Sequence, residues 1–400
     1  SAAAARDRPG PKDLEPFRFG EDAAHLLVFV NGRYAADLSS VSRLPAGVVV
    51  CGLAEALRAG QPGLEEHLAR HADFQDQAFT ALNTAFMEDG ALILIPGGTV
   101  LDRLVHLLFL STADGPAAVT HPRNLIVAGA GSQATIVETY AALGDGVYFT
   151  NAVTEIVAHD NAVIDHYKVE REGGGAYHVA TRQVHQYRDS VVTSHTVSLG
   201  GRLVRNDTNA MLDGPGCQCT LNGFYLLKDT QHVDNHLRVD HARPHCSSWE
   251  HFKGVLDDRS RAVFTGRIKV YEGAQKTDAK QSNMNLLLSK EALVDTKPQL
   301  EILADDVKCT HGATIGQIDP QAVFYLRSRG IPDAAARALL IYAFAGESIG
   351  QIRVAGLRDR LQDLVSERLP HGRTLRFGRP YEYRGDYAEH VRTIDKRRET

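Results

Sequence analysis

The segments "HDNAVIDHY" (residues 159–167), "YRDSVVTSH" (187–195) and "GPGCQCTLNGFY" (214–225) repeat one arrangement: a turn residue, a small residue, then a β-rich run. The small residues Ala162, Ser190 and Cys217 fall 28 and 27 positions apart. A period of this size is typical of solenoids, in which each coil buries one face on the next. A small residue at a repeated inward position suits the tight corner of a β-helix. An all-β sandwich accommodates the same imperfect repeats, so the spacing alone leaves both architectures open.

Outward from these segments, residues 85–316 carry further short runs such as "LIVAGAG", "ATIVETY", "AYHVATRQVHQY" and "AVFTGRIKVYEG". They are rich in Val, Ile, Thr, Tyr and Phe and bounded by Gly, Asp or Asn, the signature of strands. No helix of ten or more residues interrupts them, which excludes an alternating α/β fold. Residues 1–84 form a small mixed region. In it "HLLVFVNGRY" predicts a hairpin turning at Asn31-Gly32, and "GLEEHLARHADFQDQAFTALNTAFM" (63–87) has helical spacing. Beyond residue 316 the period becomes helical through 372. Pro332 and Asp333 open a helix with an apolar stripe of Ala336, Leu339, Leu340, Ala343 and Phe344, and a second helix carries Leu357, Leu361, Leu364, Val365 and Leu369. Residues 373–400 are polar and weakly patterned, as expected of a mobile tail.

The composition, 43% hydrophobic and 23% charged over 400 residues, suits a folded protein with a large core. Its 44 basic residues against 49 acidic ones give a net charge of −5, which points to neither nucleic acid nor an anionic membrane. The most apolar stretch, "ALILIPGGTVLDRLVHLLFL" (91–110), is broken by Pro96, Gly97, Gly98, Asp102 and Arg103 into two strands rather than a membrane span. Five scattered cysteines imply a reduced, cytoplasmic chain without a disulfide framework. The start "SAAAARDRPGPK" has no signal-peptide core and no initiator Met, so a trimmed or processed chain is expected.

Three candidate sites stand out. "GAGSQA" (129–134) fits G-x-G-x-x-A, but the β run "TIVETY" follows where a nucleotide site needs a helix, so it reads as a turn. There is no P-loop. "QHVDNHLRVDHARPHCSSWEH" (231–251) holds His232, His236, His241, His245, Cys246 and His251. On strands, H-x-x-x-H places the two rings about 13 Å apart, too far to share one ion. "DDVKCTHGATIGQID" (305–319) holds Cys309 and His311, which share a face of a strand with Val307. That pair admits a buried structural role, metal or sulfur chemistry, or a nucleophile. Glycosidase chemistry would need paired carboxylates. The pairs in "LDD" (256–258) and "ADD" (304–306) look like turns.

Two longer stretches carry a specific resemblance. "RAVFTGRIKVYEGAQKTDAKQSNMNLLLSKEALVDTKPQLEILADDVKCTHGATIGQIDPQAVFYLRSRGI" (261–331), with "DHARPHCSSWEHFKGVLDD" (240–258) before it, resembles the SufB/SufD family of iron–sulfur cluster assembly scaffolds. The forms A-Q-K-T-D-A-x-Q-x-N-x-N-L-L-L and C-x-H-G-A-T are similar to its SufD branch rather than to SufB. The resemblance spans roughly residues 85–370. Members usually carry more N-terminal helix and end soon after a segment like "LVSERLPHG".

The resemblance implies a mainly β fold: a right-handed parallel β-helix with small N-terminal and C-terminal helical parts. This decides the solenoid against the sandwich. It also implies a non-catalytic scaffold that pairs with a SufB-like paralogue and a SufC-like ABC ATPase, or forms a homodimer when alone. No cofactor would be tightly bound by the isolated chain, and a transient iron–sulfur cluster would form in the complex. The family's interface histidine maps onto His311, with Cys309 beside it. Both are candidate ligands, facing a partner that completes the site. The resemblance further implies that the helix bearing Asp333, Arg337, Leu340 and Phe344 docks the ATPase. The rival readings are a carbohydrate-active or other enzyme on a β-helix, and the cluster-ligating paralogue SufB.

Overall fold

The corner pattern recurs down the length of the molecule. A computed structural model describes residues 9–19, 25–112 and 118–369. In six successive coils a residue with positive φ precedes a buried small residue: Gly131–Ser132, Asn161–Ala162, Asp189–Ser190, Gly216–Cys217, His245–Cys246 and Lys276–Thr277. The left-handed residue turns the chain. The small residue points into the corner, where there is no room for more. Polar members satisfy turn carbonyls: Ser190 Oγ donates to Tyr187 O at 2.6 Å and Thr277 Oγ1 to Ala274 O at 2.8 Å.

The strands after these corners stack in parallel register. Val163, Val191, Gln218, Ser247, Asp278 and Lys308 are successive partners, 27 to 31 residues apart. A second sheet runs from Arg123–Ala128 through Tyr148–Ala158 and Tyr177–Gln186 to Leu293–Ile302. The two sheets wrap one core as a parallel β-solenoid of about eight turns. Parallel pairing excludes the sandwich.

The stack begins before residue 85. His25–Val30 pairs in parallel with Val105–Ser111, and Val49–Gly52 pairs antiparallel with Ala91–Ile95. The Asn31-Gly32 hairpin forms, with both residues at positive φ. The two strands expected within 91–110 appear as Ala91–Ile95 and Val105–Ser111. The helix expected over 63–87 is only partly present, as Leu64–His67 and Ala78–Phe86. Its interruption has a cause: the backbone N–H groups of Ala69, His71 and Ala72 donate to the buried carboxylate of Glu155 at 2.8–2.9 Å. Those donors are lost to helical bonding. Arg123 Nη2 neutralises the same carboxylate at 2.8 Å, with both side chains fully buried.

Three helices follow the solenoid: Pro320–Ser328, capped by Asp319, then Asp333–Ile349 and Ala355–Arg368. The last two pack along the flank of the solenoid, joining Ile341, Ala345, Leu361 and Val365 to Val197 and Phe224. The buried face of Asp333–Ile349 is rotated from the expected stripe. Of the stripe, Ala336 is buried as expected, Leu339, Leu340 and Phe344 are half-buried and Ala343 is exposed, while Ala338, Ile341, Tyr342 and Ala345 are buried instead. The sequence stripe ignored the flat sheet against which the helix settles. The segment expected as a tail, 373–400, lies outside the described residues.

Candidate functional site: the open end of the solenoid

The last coil is made by Leu293–Ile302 and Lys308–Gly316. Each pairs with a strand on one side only among the described residues. Its other edge carries backbone donors and acceptors with no ladder partner, an arrangement that proteins normally cover or pair. Leu293, Ile302, Leu303 and Ile315 are exposed there. Pro298 interrupts the donors of the first strand, whereas Lys308–Gly316 has no proline, so the latter offers the continuous edge.

Cys309 and His311 lie on that continuous edge. Cys309 is in register with Ala279 and His311 with Gln281, and both partners are buried inside the solenoid. The shared face of Cys309 and His311 therefore continues the interior column, as their parity with Val307 allowed. Cys309 is half-buried and packs with Val307 against Val270 and Ala304. His311 is exposed because no further coil covers it. The pair is about 6.6 Å apart along the strand.

Burial pushes the Cys309 thiol above its ordinary pKa, with the Asp278 and Glu250 charges adding to the effect, so the resting sulfur is a thiol. Binding a soft metal there would have to release that proton. Neutral imidazole and thiolate both suit iron. Two ligands are half of what a cluster takes. The donor chemistry fits, and the open edge leaves room for the rest. Among the described residues no group of three or more His, Cys, Asp or Glu side chains is arranged to hold a metal ion.

Two residues behind this end were not singled out by the sequence. Gln281 Nε2 donates to Glu250 Oε2 at 2.9 Å, and burial raises Glu250 to about 7. The 27–31 residue register was the signal that places Glu250, Gln281 and His311 in one column.

The other candidates separate cleanly. "GAGSQA" is a corner between Arg123–Ala128 and Gln133–Ala142. His232 and His236 lie on one strand, His232–His241, and His236 pairs with Asp234 at 2.9 Å. His241 is buried against Ser248 Oγ at 3.0 Å. Asp257 and Asp258 serve a turn, where Asp258 Oδ2 accepts from Asp229 N at 2.9 Å, and Asp306 pairs with Lys276. Asp333 and Arg337 form an exposed ion pair at 2.8 Å, and the Phe344 ring lies under Lys253 Nζ at 4.4 Å. Leu340 on the same helix is half-buried, and Phe324 and Tyr325 on Pro320–Ser328 stand exposed nearby in sequence. No helix among the described residues is long and apolar enough to cross a membrane.

Together these features define a class: a parallel β-solenoid whose last coil presents a C-x-H pair on an edge unpaired among the described residues. Residues 109–344 match the SUF system FeS cluster assembly SufBD core domain, and residues 22–107 match the SufBD protein N-terminal region. The chain belongs to the SufBD family of SUF iron–sulfur cluster assembly. It is 36% identical to an iron-sulfur cluster assembly SufBD family protein of Synechocystis sp. over 88% of this chain and 79% of that protein. It is 33% identical to the iron-sulfur cluster assembly protein SufD of Escherichia coli over 86% and 79% of the two chains. Against SufD of Bacillus subtilis the identity is 27% over 81% and 74%.

Proposed function

We propose that this chain is a SufD-type, non-catalytic scaffold subunit that pairs with a SufB-like paralogue through its last coil and supports nascent cluster assembly at that junction. The single observation that carries this reading is the unpaired Lys308–Gly316 edge bearing Cys309 and His311. A partner strand added to this edge would satisfy its backbone groups and cover Ile315. His311 would then face the partner and supply one ligand, with Cys309 as a second after losing its proton. The iron–sulfur cluster is cargo, held transiently and completed by partner ligands.

A SufC-like ABC ATPase docks on the C-terminal helical part in this reading. The helix Asp333–Ile349 is fixed to the solenoid flank by its buried face, which makes it a rigid handle. Its outward groups, Asp333 and Arg337, and the exposed Phe324 and Tyr325 of the preceding helix supply contact surface. The complex works in the cytoplasm, and a homodimer through the same open edge is the resting form when the paralogue is absent.

Co-expression with SufB-like and SufC-like chains tests the reading. The complex should co-purify and, reconstituted anaerobically, develop cluster absorption that His311→Ala reduces severalfold. Normal cluster formation on a complex containing His311→Ala would remove His311 from the site. A chain that purifies alone and shows its own hydrolytic activity would overturn the scaffold reading.

A further inference from the structure

Four coils away from the open end, about 19 Å along the stack, four histidines meet on the outer face of the solenoid. His67 ends the short helix Leu64–His67, and His71 lies in the loop pinned by Glu155. His159 follows the strand Tyr148–Ala158, and His185 belongs to Tyr177–Gln186. The rings of His67 and His71 stack at 5.5 Å, His71 and His185 lie 5.2 Å apart, and His67 and His159 lie 5.8 Å apart, centroid to centroid. All four are partly exposed, so an ion in solution can reach them.

We propose that His67, His71 and His185 bind one divalent first-row transition-metal ion, with His159 packed beside them. His67 Nδ1 and His71 Nε2 are 3.2 Å apart. Two imidazole nitrogens bound to one tetrahedral zinc-sized ion are separated by about 3.3 Å, given metal–nitrogen bonds of about 2.05 Å. The hydrogen bond they share is thus already at chelating distance. His185 Nε2 faces Asp213 Oδ2 at 3.5 Å, a loose polar contact that it would give up on turning to an ion. In the resting arrangement no three of the ligands are set around one point. The proposal requires the half-buried His185 ring, 5.2 Å from the His71 ring, to turn towards His71 when the ion binds.

The loop is held still. Glu155 accepts from the backbone of Ala69, His71 and Ala72 and is fixed by Arg123, and the His159 ring stacks on Tyr187 at 5.1 Å. An all-imidazole set selects zinc, cobalt, nickel or ferrous iron over calcium or magnesium, which take oxygen ligands. The plain alternative is a stacked, hydrogen-bonded histidine cluster that only closes the seam between the N-terminal loop and the solenoid.

The test is titration of the untagged, metal-stripped full chain with Co(II) and Zn(II). One ion should bind per chain, with visible Co(II) ligand-field absorption and a rise in the thermal midpoint. His71→Gln, His67→Gln and His185→Gln, which keep side-chain volume, should each weaken binding at least tenfold, while His232→Gln leaves it unchanged. His71→Gln keeps the backbone bonds to Glu155, and circular dichroism confirms that it folds. Equal binding by wild type and His71→Gln, or equal loss in His232→Gln, overturns the proposal. So does a wild-type midpoint that neither ion moves.

Discussion

His311 lies in register with Gln281 one coil behind it, and Gln281 Nε2 reaches one coil further in to donate to Glu250 Oε2 at 2.9 Å. An exposed candidate ligand is therefore the outermost member of a buried polar column. The inner members are shielded from solvent, whereas the outer one is exposed.

Replacing His311 should accordingly leave the fold alone. The side chain is exposed and its removal opens no core cavity. His311→Ala is expected to change stability by less than about 0.5 kcal/mol. Chemical denaturation of the isolated chain checks this, and a loss of several kcal/mol would mark His311 as a structural residue.

The inner column predicts a pH dependence. Burial holds Glu250 at about 7, against an ordinary 4.5, so the native state retains a proton that the unfolded chain has already released. Stability should fall as pH rises from 4.5 to about 7 and level off above it. The total is of the order of 3 kcal/mol. Glu250→Gln, which can still accept from Gln281, should flatten that slope. Parallel pH profiles for the two chains would show that Glu250 does not titrate in this range.

Glu155 is expected to govern the N-terminal loop. Its carboxylate takes three backbone N–H groups and the Arg123 guanidinium, and both charged side chains are out of solvent. Arg123→Met leaves a buried charge without its partner and should cost about 3–5 kcal/mol. Glu155→Ala should raise amide exchange at residues 69–72 well before the central coils respond. Unchanged protection of those amides would mean that other contacts hold the loop.

The corners tolerate no added volume. Ala162 is fully buried behind Asn161 at positive φ. Ala162→Leu should destabilise by about 1–3 kcal/mol through overpacking. A thermal midpoint equal to wild type would show that the corner can open.

Removing residues 333–400 should give an aggregating chain rather than an intact solenoid. The helices from Asp333 onward cover Val197, Phe224 and Val255 on the solenoid flank. Stripping them exposes a contiguous apolar face. Surface changes are the cleaner probe of ATPase docking: Arg337→Ala breaks only an exposed ion pair, worth at most about 1 kcal/mol. It should weaken capture of a SufC-like partner while the melt stays put, and full capture would move the docking surface elsewhere.

The amino-acid sequence by itself determined the repeat. A left-handed turn residue, a small corner residue and a β run are local choices, and Ala162, Ser190 and Cys217 recur because each coil must close the same corner. The hairpin at Asn31-Gly32 and the C-terminal helices were legible for the same reason, since turn chemistry and helical period act over a few residues. Tertiary structure alone decided what lies one coil away. Parallel register put Gln281 behind His311 and left the last edge unpaired. A carboxylate more than 80 residues downstream took the N–H groups that a helix over 63–87 would have used. It also fixed His71 where His185 could meet it. The flat solenoid flank turned the buried stripe of Asp333–Ile349 away from Ala343 and towards Ile341 and Ala345. Such outcomes depend on which surfaces meet, and a local period carries no information about its neighbour's register.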